Sequence, residues 1–523
     1  MTAFAPDRPG PLAGIRVLDL ATFIAAPYTA AILGEFGAEV IKVEQPAGGD
    51  TFRRFGTPTT REDSTLAWLS ESRNKKSVTL DLRKPEGVTL FERLVEVSDV
   101  ICENFRPGTL EKWGIGWDAL KGLKPGLVML RVSGYGQTGP YSDRPGFARI
   151  AHAFGGLTYL AGMPGETPVT PGSTSLGDYM SGLYGAVGVL LALRHRDATG
   201  VGQVIDIGLY ESVFRVLDEI APAYAATGHV RGPEGTGTLM ACPHGHFRTG
   251  DGKWLAIACS NDRMFERLCQ AMSGAGQSLA SDYAEQHTRL ANRDKVNQAV
   301  ADWIASMDRE QVMEICLEHQ VPAGPINSIA DIFSDPHFRA RGNLLVVDEP
   351  DIGEVVIPAP MPRLSETPGE VRSLGPSLGQ DNEGIFSGLL GLSADELARL
   401  RTEHPTVVLY DAHSIRSCIP RLFDGELPQF NIGTNGGEAC DAALAGAVAT
   451  ICAQSDRSHV LNGRFRGGWT TRHYGRPGKG IHAIQMELAI RGYADEPVEP
   501  TPANWPTPYD ADRAAPLTAI LSE

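Results

Sequence analysis

The chain has little positive charge for its length. Its 523 residues include 47 Lys and Arg against 63 Asp and Glu, which gives a formal net charge of -16. Binding to nucleic acid or to an anionic membrane needs an extended basic face that displaces counterions, so neither partner is expected. Any phosphate-bearing ligand must therefore be held by a local cationic pocket.

The sequence also lacks a long apolar run and a disulfide framework. The longest uncharged stretch of interest, Tyr179 to Leu193, has 15 residues and three glycines, which is too short and too interrupted for a bilayer span. The opening MTAFAPDRPG has neither the basic segment nor the apolar core of a signal peptide. Eight cysteines without a CxxC pair suggest reduced thiols. These absences predict a soluble, cytoplasmic protein.

Short apolar runs alternate with helical patterns between Ile15 and Leu209. Six of these runs are typical of strands: IRVLDL, AEVIKVE, KSVTLDL, DVICENF, LVMLRV and GQVIDIGL. Their hydrophobicity is continuous, so both faces of each strand are covered, as in a largely parallel sheet flanked by helices. The predicted fold class is α/β, with a Rossmann-like large domain.

Changes of pattern divide the chain into four segments, since 523 residues exceed one ordinary core. Residues 1–225 are the first part of the large domain. Residues 226–330, after a glycine-rich linker, are a smaller α+β domain with a strand at KWLAIAC. Residues 331–403 return to the large domain and close with the helix SADELARLRTEH. Residues 404–523 are a separate α/β piece.

The segment TSLGDYMSGLYGAVGVLLALRHRDATGVGQ has the pattern of one buried helix. Asp178 is predicted at its N-cap, and Gly200 at its end. The free amide groups and the helix dipole stabilise an ionised carboxylate at a helix N-terminus by roughly 0.3 to 1 kcal/mol. Asp178 is therefore a candidate nucleophile, although most aspartates in such a position only cap a helix.

This segment resembles the signature of the family III CoA-transferases. The matching features are the Gly177-Asp178 pair, the glycine-containing apolar helix and the turn TGVGQ at 199–203. Further segments are similar to that family in order and spacing over about residues 11 to 400, among them PLAGIRVLDLATFIAAPY, LGEFGAEVIKVEQPAGGD, DVICENFRPGTLEKWGI and RVSGYGQTGPYSDRPGF. Several co-linear segments are far more specific than any one of them.

The resemblance implies an enzyme that moves coenzyme A from an acyl-CoA to a carboxylic acid. Asp178 would carry the coenzyme as an aspartyl thioester, without ATP or metal, and the chain would form an interlocked homodimer. Coenzyme A brings phosphates, which Arg and Lys bind well. Matching the family's CoA-contacting segments implies contacts at eight positions: Ala25, Leu80, Arg83, Asn104, Phe105, Arg106, Lys112 and Arg144.

Two other functions that similar sequence patterns can indicate, NAD binding and acyl-CoA racemisation, are disfavoured. Gly134, Gly136 and Gly139 spell GxGxxG after a strand, but Pro140 follows where a helix should begin on a pyrophosphate, so an NAD site is excluded. Acyl-CoA racemases share the implied scaffold but need a histidine where this chain has Phe147. Without that base, exchange of an α-proton is not expected.

The C-terminal piece resembles the N-formylglutamate amidohydrolases, with segments such as YDAHSIRSCIPRLFDGELPQFNIGT and HVLNGRFRGGWTTRHYGRP. This resemblance implies a fragment of a zinc-hydrolase-like fold, in which His413 is a remnant metal ligand and Glu487 a remnant general base. A catalytic zinc normally needs three protein ligands, and the half of that family that supplies the others is absent. No bound metal is expected, and deformylase activity and a non-catalytic interaction module remain as alternatives.

Overall fold

The computed structural model describes residues 9–393, 396, 407–418, 426–477, 481–497, 501, 504 and 508–522. It divides the chain into two compact units, Met1–Leu390 and Gly391–Glu523. All eight cysteines are free thiols, and only Cys418 is exposed. The helix predicted for SADELARLRTEH lies mostly outside the described residues, and the predicted domain boundaries at 225, 330 and 403 remain predictions.

A six-stranded parallel sheet forms the centre of the first unit. Each of the six apolar runs becomes one strand, which confirms the predicted α/β class of this region. The strands are β1 (Arg16–Asp19), β2 (Glu39–Glu44), β3 (Lys75–Thr79), β4 (Val100–Glu103), β5 (Val128–Ser133) and β6 (Val204–Gly208). Most of their residues are buried because helices cover both faces.

The strand order is β3-β2-β1-β4-β5-β6, with every neighbouring pair parallel. The chain therefore winds outward in one direction from β1 and in the other direction from β4. The loops after these two strands leave the sheet side by side at its carboxyl edge. In open α/β sheets, ligands bind in the crevice at this switch point.

Helices connect the strands of this sheet and cover it. They are α1 (Ala25–Glu35), α2 (Leu66–Glu71), α3 (Pro85–Glu96), α4 (Thr109–Lys112), α5 (Trp117–Leu123), α6 (Ala148–Phe154), α7 (Leu157–Leu160), α8 (Leu176–Thr199), α9 (Leu209–Arg215) and α10 (Ile220–Thr227). The buried core between sheet and helices consists mainly of Val, Leu and Ala, and α1 and α8 pack closely against each other.

Helix α8 begins earlier than expected. It spans 24 residues, from Leu176 to Thr199, and the left-handed Gly200 ends it as predicted. By length and composition it could cross a membrane, but half of its most apolar window is buried within the protein, as in a core helix. Its N-cap is Ser175, so the prediction of Asp178 at the cap was wrong by three residues.

A smaller antiparallel sheet follows, formed by β7 (His244–Arg248), β8 (Trp254–Ala258) and β9 (Ala323–Pro325) in the order β7-β8-β9. The helices beside it are α11 (Asp262–Ala271), α12 (Gly274–Asp282), α13 (Gln286–Ala291), α14 (Arg293–Ala305) and α15 (Arg309–Glu318). They share one apolar core with the sheet. The predicted strand KWLAIAC is β8, whereas β7 was not predicted.

The next segment contains α16 (Ile329–Ser334), α17 (Pro336–Ala340) and a hairpin of β10 (Leu344–Glu349) and β11 (Gly353–Pro358). A π-helical turn, Gly384–Leu389, follows. Asp381 accepts a hydrogen bond from Ser77 N–H, and Asn382 accepts one from Thr79 N–H, both at 2.8 Å. These side chains satisfy the outer edge of β3, which would otherwise be an open sheet edge.

The second unit has a four-stranded mixed sheet in the order β12-β15-β13-β14. Its strands are β12 (Val407–Ile415), β13 (Phe430–Gly433), β14 (His459–Leu461) and β15 (Ile481–Ala489). Its helices are α18 (Ala442–Ala453), α19 (Trp469–Tyr474) and α20 (Ala511–Ser522). The predicted α/β character of this piece is thus observed.

The contact between α1 and α8 depends on glycine. A Cβ atom at Gly185 would lie 2.4 Å from Thr29 Oγ1 and 2.9 Å from Leu130 Cδ2. We expect Gly185→Ala to lower the free energy of unfolding by roughly 1–3 kcal/mol, because a packed interior cannot yield to an added methyl group. Urea denaturation measures this. Gly122→Ala in α5, where a Cβ meets open space, is the control and should be neutral or stabilising; equal loss in both variants would contradict the close packing.

Candidate active site

A cavity of about 190 Å³ opens at the carboxyl edge of the parallel sheet, where the loops after β1, β4 and β5 meet. Its walls come from four stretches of chain and from Asp178 and Leu209. The stretches are Thr22 to Ala25, Asn104 to Pro107, Val132 to Gly134 and Arg144 to Phe147. The cavity thus occupies the switch point that the strand order creates.

The loops after β1 and β4 are joined through Asn104. Its Oδ1 accepts a hydrogen bond from Thr22 N–H at 2.8 Å, and its Nδ2 donates one to Thr22 O at 2.7 Å. Buried Glu103 accepts hydrogen bonds from Phe105 N–H at 2.7 Å and from Arg131 Nε at 2.6 Å. Both loops are therefore fixed in position before any ligand binds.

Asp178 is the third residue of α8, and its side chain reaches the cavity with 8% of the residue exposed. Burial raises the pKa of its carboxyl to about 7, and no cation or hydrogen bond from the described residues lowers it. The helix N-terminus was expected to favour the ionised carboxylate and so to lower this pKa, but the net shift is upward. Dehydration outweighs the helix dipole here, because the dipole contributes only about 0.3–1 kcal/mol.

The backbone next to Asp178 is held on both sides. Gly177 N–H donates to His152 Nε2 at 2.8 Å, and Gly177 O accepts from Ser181 Oγ at 2.7 Å. His152 is fully buried and must be neutral to accept this bond. Burial lowers the pKa of its imidazole, and the positive charge of nearby Arg149 lowers it further. A Cβ atom on Gly177 would meet the His152 ring at 3.3 Å, which explains a glycine before the aspartate.

The cavity brings together several residues that the resemblance implied. Asp178 shares it with five of the eight expected contact residues: Ala25, Asn104, Phe105, Arg106 and Arg144. The polar atoms of Asn104 are already engaged with Thr22, and the Arg144 guanidinium stacks on Tyr141 with Cζ 3.6 Å from the ring centroid. Arg106 and Arg144 give the cavity positive charge in an acidic protein.

The other three expected contact residues do not line this cavity. Leu80 is buried just after β3, and Lys112 is exposed at the end of α4. Arg83 is exposed and its guanidinium pairs with Asp81 at 2.7 Å. Contact of these three residues with coenzyme A remains a prediction.

Other cavity residues were not predicted as site residues. Phe23 and Phe147 form an edge contact with ring centroids 6.2 Å apart, and Ser133 has a buried hydroxyl without a hydrogen-bond partner among the described residues. Gly134 and Gly146 approach so closely that a Cβ on either would lie within 3 Å of the other's Cα. Gly134 is the first glycine of the GxGxxG pattern, and a glycine after a strand is a sequence signal for such a close approach of two backbone segments.

In the second unit, the predicted remnant residues are neighbours. His413 on β12 is in register with Glu487 on the adjacent parallel strand β15. His413 Nε2 lies 2.7 Å from Asp411 Oδ1, and Glu487 Oε1 accepts a hydrogen bond from Gln485 Nε2 at 2.6 Å. No group of three or more potential metal ligands occurs among the residues that the structure describes.

Comparison with known proteins identifies the two parts of the chain. The family model described as CoA-transferase family III matches residues 12–382, which include the whole cavity. The chain belongs to CoA-transferase family III. As such a CoA-transferase, it moves coenzyme A from an acyl-CoA to a carboxylic acid. The model of the N-formylglutamate amidohydrolase family matches residues 393–494, as the second resemblance predicted.

Relatives of this CoA-transferase are similar over nearly their whole length. The alpha subunit of succinyl-CoA--L-malate CoA-transferase from Chloroflexus aurantiacus is 60% identical over 75% of this chain and 92% of its own. The beta subunit is 59% identical over 75% of this chain and 97% of its own. A crystal structure of a CAIB/BAIF family protein from Brucella suis has 34% identity and a TM-score of 0.65, covering 73% of this chain and 100% of that one.

The buried carboxyl of this CoA-transferase should reduce stability at neutral pH. The pKa of Asp178 is about 7 in the folded protein and near 3.8 for an ordinary aspartate. At pH values between these two numbers, the folded state therefore holds a proton that the unfolded state has lost. Stability should therefore fall as pH rises through this window. We expect Asp178→Asn to raise the free energy of unfolding at pH 8 by roughly 1–4 kcal/mol, and by less at pH 5.

Urea denaturation at the two pH values measures the difference. Asp197→Asn, at an exposed position on the same helix, is the control and should show no such pH dependence. An equal effect of Asp178→Asn at pH 5 and pH 8 would contradict the raised pKa.

Proposed function

We propose that this CoA-transferase moves coenzyme A from succinyl-CoA to a dicarboxylic acid such as malate, with Asp178 as the covalent carrier. The placement of Asp178 in the cavity at the switch point, which two arginines also line, is the observation that carries the proposal. The substrate class follows from the names of the relatives at 60% and 59% identity. The cytoplasmic location predicted above remains a prediction.

In the proposed reaction, the Asp178 carboxylate attacks the thioester carbonyl and displaces CoA thiolate, leaving a mixed anhydride. The thiolate then attacks the Asp178 carbonyl, which forms the aspartyl thioester and releases the donor acid. The acceptor carboxylate attacks this thioester, and the thiolate attacks the acceptor carbonyl of the second anhydride. This produces the new acyl-CoA and restores Asp178, with the thioester bond energy retained.

The site supplies the properties that these steps need. Asp178 is buried with 8% of the residue exposed, which limits the access of water to an anhydride or thioester formed on it. Arg106 and Arg144 are suited to the phosphates of coenzyme A or to the second carboxylate of a dicarboxylic acid. His152 and Ser181 hold Gly177, and through it they hold Asp178, in a fixed orientation.

Covalent labelling tests the proposal. The protein is incubated with succinyl-CoA, trapped with hydroxylamine or borohydride, and analysed by intact and peptide mass. We expect donor-dependent modification of Asp178, and no modification in Asp178→Ala. Because Asp178→Asn keeps the side-chain volume but lacks the nucleophile, it should also remain unlabelled. Transfer activity in Asp178→Asn, or labelling at another residue, would contradict the proposed role.

We further propose that the enzyme is a homodimer, interlocked as the family resemblance implies. Helix α8 carries an exposed apolar stripe, which is formed by Leu183, Tyr184, Val187, Leu190 and Leu191. A stripe of this kind is typical of an interaction surface. The two Chloroflexus relatives are named as alpha and beta subunits and are equally similar to this chain, which favours a second copy as the occupant.

Analytical ultracentrifugation tests the assembly. We expect a dimer for the unmodified chain, and dissociation when both Leu190 and Leu191 are replaced by Glu, because two carboxylates within the stripe would oppose its burial. Leu123→Glu, at an exposed position of α5, should leave the dimer intact. A monomeric unmodified chain, or a dimer that tolerates the double substitution, would contradict this surface.

For the C-terminal unit we propose an inactive fragment of a zinc-hydrolase-like fold. The resemblance supports this, because it gives this piece one metal ligand, His413, whereas a catalytic zinc normally needs three protein ligands. Purified protein incubated with zinc and then dialysed should retain less than one ion per chain and should release no formate from N-formylglutamate. Stoichiometric zinc together with formate release would instead support the deformylase alternative.

A further inference from the structure

Four charged side chains are buried beneath the loop that follows β1. Asp19, Lys42, Asp50 and Lys75 belong to β1, β2, the segment after β2 and β3, and are named the anchor cluster here. Lys75 Nζ lies 2.8 Å from Asp19 Oδ2, and Lys42 Nζ lies 3.0 Å from Asp50 Oδ2 and 3.6 Å from Asp19 Oδ2. Each of these side chains is at most 1% exposed. Two positive and two negative charges thus balance inside the protein.

The anchor cluster binds the backbone at the start of the loop and in the first turn of α1, which follows the loop. Asp19 Oδ1 accepts a hydrogen bond from Ala21 N–H at 3.1 Å, and Lys42 Nζ donates one to Ala21 O. Lys75 Nζ donates one to Pro27 O at 2.8 Å. The stretch between these two points contains the residues of the loop that line the cavity, Thr22 to Ala25.

Phe23 lies inside this stretch and has an unusual backbone. Its φ angle is +62°, which bulky side chains rarely adopt, and Asp50 Oδ1 accepts a hydrogen bond from its N–H at 3.1 Å. The Phe23 ring lines the cavity, with its centroid 5.8 Å from that of Phe55 and 6.2 Å from that of Phe147. A strained residue persists only where its surroundings determine its conformation, and such residues concentrate at functional sites.

Stability alone does not account for these buried charges. Taking charges out of water is costly, and apolar side chains of similar volume often stabilise a core as well or better. Apolar side chains cannot supply the hydrogen bonds that the anchor cluster makes to Ala21, Phe23 and Pro27. The cluster therefore acts on the geometry of the loop.

On the basis of the proposed function, we propose that the anchor cluster positions the stretch Ala21 to Pro27, which is the loop after β1 and the first turn of α1, for binding of coenzyme A. Its members are positioning residues, since they lie behind the loop and do not line the cavity. They hold Phe23 in its strained conformation, so that its ring and the neighbouring backbone present a preformed wall to the coenzyme. Preformed surfaces bind more tightly because less conformational freedom is lost on binding.

The test compares two buried lysine or arginine side chains of the same unit. Lys75→Met removes a member of the anchor cluster. Arg73→Met removes a buried guanidinium that pairs with Glu35 at 2.8 Å and does not line the cavity. Melting temperature, the dissociation constant for CoA by calorimetry, and kcat are measured for both variants and for the unmodified protein.

We expect both variants to melt earlier, because each leaves a buried carboxylate without one of its partners. Only Lys75→Met should weaken CoA binding, by roughly tenfold or more, while Arg73→Met should bind CoA within about twofold of the unmodified protein. If Lys75→Met melts earlier but binds CoA normally, the proposal is wrong. If both variants bind CoA equally poorly, a general loss of stability explains the effect and the proposal is also wrong.

A milder pair of variants keeps the test valid if Lys75→Met does not fold. Asp50→Ala removes the oxygen that accepts from Phe23 N–H, whereas Asp50→Asn retains one. CoA binding should be weakened in Asp50→Ala and partly restored in Asp50→Asn; equal binding in the two variants would overturn the proposal. Unmodified protein that fails to bind CoA would contradict the proposed function itself, and with it this inference.

Discussion

The reversal of strand order between β1 and β4 is the constraint on which the site depends. It places two loops side by side at the carboxyl edge of one parallel sheet, where the chain can open a cavity without breaking the core. Asn104 then joins these loops by hydrogen bonds to both backbone groups of Thr22. Helix α8 brings Asp178 to the same edge because it packs on α1 and β5.

Burial of Asp178 has opposite effects on stability and on chemistry. A carboxyl with a pKa near 7 is costly to the folded state at neutral pH, yet part of its population is still ionised at that pH and can act as a nucleophile. The same exclusion of water protects an anhydride or a thioester from hydrolysis. The fold therefore accepts an unfavourable carboxyl at the position where a covalent carrier would need shielding.

Much of this arrangement could be predicted from particular residues. The six apolar runs became six parallel strands because continuous hydrophobicity requires cover on both faces, and Gly200 ended α8 because only that residue type adopts its backbone conformation easily. The N-cap was misplaced because Ser175 and Asp178 are both good capping residues, and sequence pattern alone does not choose between them.

The rest depended on three-dimensional detail. The raised pKa of Asp178 follows from burial by distant segments, and the strained backbone of Phe23 is held by one hydrogen bond to Asp50, which lies 27 positions away. Asn104 was correctly placed at the cavity, but its use in joining two loops could not be read from the segment ENFRPG. That His413 and Glu487 are neighbours could not be predicted from the sequence, because it depends on the register of two strands that are separated in sequence by most of the second unit.

The most direct measurement of the central claim, that Asp178 carries the coenzyme, follows oxygen atoms. The enzyme is allowed to turn over succinyl-CoA and malate whose carboxylates carry a heavy oxygen isotope, and the peptide that contains Asp178 is then weighed. The covalent route leaves one acceptor oxygen on Asp178 in each turnover, so the peptide should gain the mass of one isotopic substitution after a single turnover and approach two after many. Heavy oxygen in the released succinate but never in Asp178 would show direct attack of the acceptor on the donor thioester, and would contradict the account.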